Sequence, residues 1–154
     1  MENALDFTGK VVIVTGGGKG VGRGISQCFL AAGADVVICG RSEPETLPTA
    51  GERSAIFLPC DVREYEQIEA CVEATIQRFG RLDVLVNNAG GAPYAEAATA
   101  SPRFSEAIIR LNIIAPLNFS QVANRVMQTQ ASGGAIINIA SVSTIRPSPG
   151  TAAY

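Results

Sequence analysis

The chain of 154 residues contains no histidine. That absence removes Ser-His-Asp and Cys-His catalysis and the common zinc sites built with imidazole. Any general acid or base must be a tyrosine, lysine, cysteine or carboxylate. Charge is also sparse, at 17% of residues against 47% hydrophobic, a balance that argues for a globular protein and against disorder. The net charge of −2 carries no basic bias towards nucleic acid, and no lysine or arginine cluster is present. No apolar run approaches the roughly 20 residues of a membrane span. The segment Met1 to Phe7 holds Glu2 and Asp6 and no basic stretch, so no signal peptide is expected there and the cytoplasm is the expected compartment. Cysteine is scattered: Cys28, Cys39, Cys60 and Cys71 form no Cys-x-x-Cys pair. Buried thiols in a reducing compartment are expected rather than disulfides, and no metal site.

What is present is an alternation of strands and helices. Val11-Val12-Ile13-Val14, Val36-Val37-Ile38-Cys39, Ala55-Ile56-Phe57-Leu58, Val84-Leu85-Val86 and Ala135-Ile136-Ile137-Asn138-Ile139 are short apolar runs, as expected of strands covered on both faces. A helix is expected from about Gly20 to Ala32, ended by Gly33. A second runs from Glu64 to Phe79 with Ile68, Cys71, Val72, Thr75, Ile76 and Phe79 on one face, stopped by Gly80. A long third helix spans Phe104 to about Gln130, closed by Gly133-Gly134. Residues 41 to 54, with Pro44 and Pro48, read as a loop or weak helix; residues 89 to 101 and the tail from Ser141 read as loop. Repeated strand-helix-strand units imply one α/β domain over residues 1–154, a doubly wound parallel sheet with helices on both faces. Ligands in such sheets bind beyond the carboxyl ends of the strands.

The loop Thr15-Gly16-Gly17-Gly18-Lys19-Gly20-Val21-Gly22 lies between the first strand and first helix. Glycines there permit a tight turn and close approach of a pyrophosphate to the backbone, and the helix start offers unpaired N–H groups. An NAD-binding site of this kind usually carries Asp or Glu at the end of the second strand. Here that position is Gly40, followed by Arg41, whose planar fork suits a 2′-phosphate. Lys19 adds a second positive charge. The plainer reading of both is solvated surface charge.

Together with Asn87-Asn88-Ala89-Gly90, Asn112, Ser141 and Tyr154, this loop resembles the short-chain dehydrogenase/reductase family over essentially the whole chain. The resemblance implies a Rossmann-like fold and an NADP(H)-dependent oxidoreductase that interconverts an alcohol and a carbonyl. It assigns the cofactor to Gly16, Lys19, Gly20, Val21, Gly22, Arg41, Asp61, Val62, Asn88, Ala89 and Gly90, with Asp61 at the adenine ring or, more plainly, a loop cap. It implies a small-molecule alcohol or carbonyl substrate, a dimer or tetramer, and no nucleic-acid or membrane partner. A weaker reading, disfavoured by Gly40, is an NAD enzyme.

The same resemblance makes Tyr154 the acid and base. Ser141, 13 residues earlier, would hold the substrate oxygen, with Ser143 a nearby competitor. Asn112 would offer its main-chain carbonyl to a water. Pro116, four residues on, has no N–H for that carbonyl if the helix runs through both, although a plain proline kink would read the same way. The family's tyrosine opens a Tyr-x-x-x-Lys motif whose lysine would fall beyond Tyr154. A phenol needs such a cation to act near neutral pH. The expectation is therefore the front of a longer enzyme, truncated after the fifth strand and inactive alone. Were Tyr154 the true end, a nucleotide-binding or interaction protein without turnover would be expected instead.

Overall fold

The computed structural model describes residues 5–146 and 149–154. The reading of Met1–Ala4 and of residues 147 and 148 falls outside them. Along the chain come β1 (Val11–Thr15), α1 (Gly20–Ala31), β2 (Asp35–Gly40), a two-residue hairpin of β3 (Thr49–Ala50) and β4 (Arg53–Ser54), β5 (Ile56–Pro59), α2 (Tyr65–Phe79), β6 (Val84–Asn87), α3 (Pro102–Ile109), α4 (Ala115–Met127) and β7 (Ala135–Asn138). Five strands form one parallel sheet in the order β5-β2-β1-β6-β7. This is the doubly wound arrangement expected from the sequence. Among the described residues, no helix is long and apolar enough to cross a membrane.

Strand side chains alternate between two cores. Val12, Val14, Val36 and Ile38 face one side, where Leu30 of α1 packs with them. Ile13, Val37 and Leu85 face the other, against Ile68 and Val72 of α2 and Phe119 and Ala123 of α4. Both faces of the central strands are thus dry, which is why their sequences are continuous apolar runs. Gly80 ends α2 in the left-handed conformation, its N–H returning to the carbonyl of Ile76. Ser101 starts α3 by accepting from the N–H of Phe104 at 3.2 Å.

At the amino end of the sheet, Asp83 is only 7% exposed. It accepts from Val11 N at 2.9 Å, from Arg81 Nε at 2.7 Å and Nη2 at 2.5 Å, and from Lys10 Nζ at 3.4 Å. Burial pushes this carboxyl up, but Arg81, the Val11 N–H and Lys10 outweigh it and hold it below the ordinary 3.8.

Four expectations are corrected. The single long helix is two, joined by a π turn over Arg110–Ile114, in which the N–H of Ala115 reaches back to the carbonyl of Arg110. Residues 41 to 54, expected as loop or weak helix, are loop as far as residue 48 and then form the β3–β4 hairpin; Arg23 anchors this segment, donating to the carbonyls of Thr46 at 2.7 Å and Leu47 at 3.2 Å. The tail begins with a short 3-10 turn, Val142–Thr144. All four cysteines are free thiols, but Cys28 is exposed, because it falls on the outer face of α1.

Candidate cofactor and active site

Before the glycine loop leaves the sheet, the carboxyl ends of β1 and β6 are tied together. The hydroxyl of Thr15 accepts from the N–H groups of Asn88 and Ala89, both at 2.9 Å, and donates to the carbonyl of Val86 at 3.4 Å. The side-chain amide of Asn88 donates to the carbonyl of Thr15 at 2.9 Å and lies 3.4 Å from that of Gly16. Gly16 then turns the chain at φ +64°, a left-handed conformation that favours glycine. Gly22 passes so close to this clamp that a Cβ on it would overlap the Gly16 carbonyl and the Asn88 amide. The close start of α1 therefore requires glycine at this position.

A cavity of about 500 Å³ opens beside the loop. Of the expected cofactor-binding residues, Gly16, Lys19, Arg41, Asp61, Val62, Ala89 and Gly90 line it. Gly20, Val21, Gly22 and Asn88 do not. Gly22 and Asn88 shape the loop from behind, and the side chain of Val21 is 69% exposed. Gly40 ends β2 without a carboxylate, and exposed Arg41 follows it into the cavity wall. Neither Lys19 nor Arg41 donates a side-chain hydrogen bond among the described residues; both stand on the cavity wall, where the charge of Arg41 also acts on the Asp61 carboxylate. The glycine cradle, the helix start and these two charges fit a dinucleotide phosphate.

Asp61 behaves first as a turn cap. It accepts from the N–H of Arg63 at 3.1 Å, from its Nε at 2.9 Å and from its Nη2 at 2.5 Å. That side-chain pairing with Arg63 holds the Asp61 carboxyl below its ordinary value. Arg63 itself lines the cavity, a residue that the sequence reading passed over. The Asp-x-Arg spacing was the available signal, since an Asp that caps a turn can meet a side chain two residues on.

Asn112, Ser141 and Tyr154 do not line the cavity. They stand on the segments that follow β6 and β7. The side chain of Asn112 is spent on structure: it accepts from Gly91 N at 2.8 Å and donates to Gly91 O at 3.0 Å and Ile108 O at 2.8 Å. It thereby pins the loop after β6. Its main-chain carbonyl lies within the π turn, four residues before Pro116. Ser141 is half-buried and accepts from the N–H of Ser143 at 3.2 Å. Tyr154 is 45% exposed, and its N–H donates to the carbonyl of Thr151 at 3.0 Å. Thr151 bridges to Ala95, whose N–H donates to Gly150 O at 2.8 Å. The tail is therefore laid on the same loop that Asn112 pins.

The family model described as short chain dehydrogenase matches residues 10–154, nearly the whole chain. The chain belongs to the short-chain dehydrogenase family. Among its curated relatives, L-fucose dehydrogenase of Bos taurus is 40% identical over 145 residues, 92% of this chain and 53% of the relative. The 2-dehydro-3-deoxy-D-gluconate 5-dehydrogenase of Escherichia coli is 36% identical, over 91% of this chain and 56% of its own. A crystal structure described as a short-chain alcohol dehydrogenase from Sinorhizobium meliloti 1021 superposes with a TM-score of 0.87 at 28% identity, covering 99% of this chain and 62% of that one. The chain thus spans about half the length of the curated short-chain dehydrogenases it matches.

Proposed function

We propose that the protein is an NADP(H)-dependent oxidoreductase that interconverts an alcohol and a carbonyl on a small molecule. The observation that carries the cofactor choice is the pair Gly40 and Arg41 at the end of β2, on the wall of the cavity that Lys19 also lines. A carboxylate at Gly40 would repel a 2′-phosphate and bond a 2′-hydroxyl; a cation beside it does the reverse. When bound, the nicotinamide supplies or accepts the hydride. The chain's own residues do the rest. The glycine loop and α1 hold the pyrophosphate. Tyr154 donates a proton to the carbonyl oxygen in reduction and removes one from the alcohol in oxidation. Ser141 holds that oxygen, and the Asn112 carbonyl holds a water on the proton's route.

The test is a fluorescence titration of both cofactors. NADPH is expected to bind at least about tenfold more tightly than NADH, since a hydrogen bond to a charged group contributes about 1.5–3 kcal/mol when well formed. Arg41→Asp should shift the preference towards NADH. Equal titration by the unmutated protein would overturn the NADP(H) assignment. In the active enzyme, Tyr154→Phe should leave NADPH affinity nearly unchanged and lower turnover by orders of magnitude, as expected when only a proton donor is lost.

A further inference from the structure

Cys39, Cys60 and Cys71 are far apart in sequence but converge in the fold. Their sulfurs all lie within 4.8 Å of one another, all three residues are buried, and none is in a disulfide. Each is held by regular structure. Cys39 sits near the end of β2. Cys60 follows β5 and donates its N–H to the carbonyl of Gly40 at 2.9 Å, which continues the parallel pairing and brings it beside Cys39. Cys71 projects from the buried face of α2, with Ile68, Val72 and Thr75. Hydrophobic burial accounts for each thiol singly. It does not call for three elements to deliver three sulfurs to one point. Cys39 and Cys60 line the cavity, so the cluster borders it, whereas Cys71 does not reach the cavity wall.

We propose that these three thiols form a chelating site for a thiophilic trivalent metalloid, bound as a neutral trithiolate with arsenous acid as the probe. Bonds of about 2.3 Å, the length of a zinc–thiolate bond, hold three ligand sulfurs roughly 3.5–4 Å apart. The present spacing needs only a small inward movement of side chains. Charge selects among soft ions. The chain has no histidine, and no carboxylate joins the cluster among the described residues. The neighbouring Asp61 carboxylate is committed to Arg63. Three thiolates would leave a net charge of −1 on Zn²⁺, which ordinarily takes four ligands in such a site, and −2 on Cu⁺. Trivalent arsenic leaves none. The step is a ligand exchange without redox change: As(OH)₃ and three thiols give As(SR)₃ and three waters. Three As–O bonds break and three As–S bonds form, and each thiol proton leaves in a water with one hydroxide.

The test is native mass spectrometry of the reduced protein with equimolar arsenite, joined to X-ray absorption at the arsenic edge. The expected adduct carries one arsenic less three protons, with three sulfur neighbours and no oxygen. Cys71→Ser should weaken uptake at least tenfold, whereas Cys28→Ser should leave it unchanged. An adduct retaining oxygen, uptake undiminished in Cys71→Ser, or binding of Zn²⁺ in preference to arsenite would each overturn the assignment. The mass and absorption readouts on the unmutated protein decide the matter even if Cys71→Ser fails to fold.

Discussion

The hydroxyl of Thr15 uses its whole hydrogen-bonding capacity at the junction of β1 and β6, accepting twice and donating once. Thr15→Val keeps the shape and leaves the N–H groups of Asn88 and Ala89 without this partner. Both groups are part-buried, so the expected cost is at the lower end of the about 1–3 kcal/mol of a buried group left unsatisfied, read as a lower urea midpoint. Thr15→Ser should retain most of the stability. Asp83 makes a pH prediction. Its folded-state carboxyl is held below 3.8, so the stability it contributes is present above that value and lost as pH falls through the depressed one. Urea midpoints should therefore fall steeply below about pH 4, and Asp83→Asn should be less stable near neutrality with a shallower acid limb. The placement of Gly16, Lys19 and Arg41 at one cavity was legible, because they directly follow the ends of the first two strands. The role of Thr15 was not: Asn88 and Ala89 lie 73 and 74 residues away, and nothing local to β1 announces them.

At the scale of elements, the five strands and the first two helices were legible from apolar runs and the glycines that stop them. The π turn was not, because a register of five rather than four residues leaves the spacing of apolar positions almost unchanged. Its physical origin lies partly in Pro116, which cannot donate to the Asn112 carbonyl. Pro116→Ala supplies that N–H and favours ordinary α-helical pairing with Asn112. In the active enzyme, turnover should fall by about tenfold or more if the carbonyl serves proton transfer, with NADPH affinity retained. An unchanged turnover would remove that carbonyl from the proton's route. The β3–β4 hairpin escaped the sequence reading for another reason. Strands of two residues carry no periodicity, and what anchors their segment is the guanidinium of Arg23 on α1.

Across the whole molecule, apolar side chains are not all covered. Ile109, Ile113, Ile114 and Leu117 are exposed through the turn from α3 to α4, Leu117 by 64%. Ile137 and Ile139 are exposed at β7, which pairs only with β6 among the described residues. These surfaces predict self-association, to be read by sedimentation velocity, and Leu117→Glu should shift the distribution towards monomer. The strand order has a further consequence during synthesis. β1 is made first yet lies in the middle of the sheet, and Val11 meets Asp83 across 72 residues of chain. At a ribosomal rate of about 5–20 residues per second, that separation corresponds to roughly 4 to 14 s. For that interval β1 lacks its β6 neighbour, and Val12, Ile13 and Val14 present an unpaired edge on that side, a natural ligand for a chaperone that captures extended apolar segments.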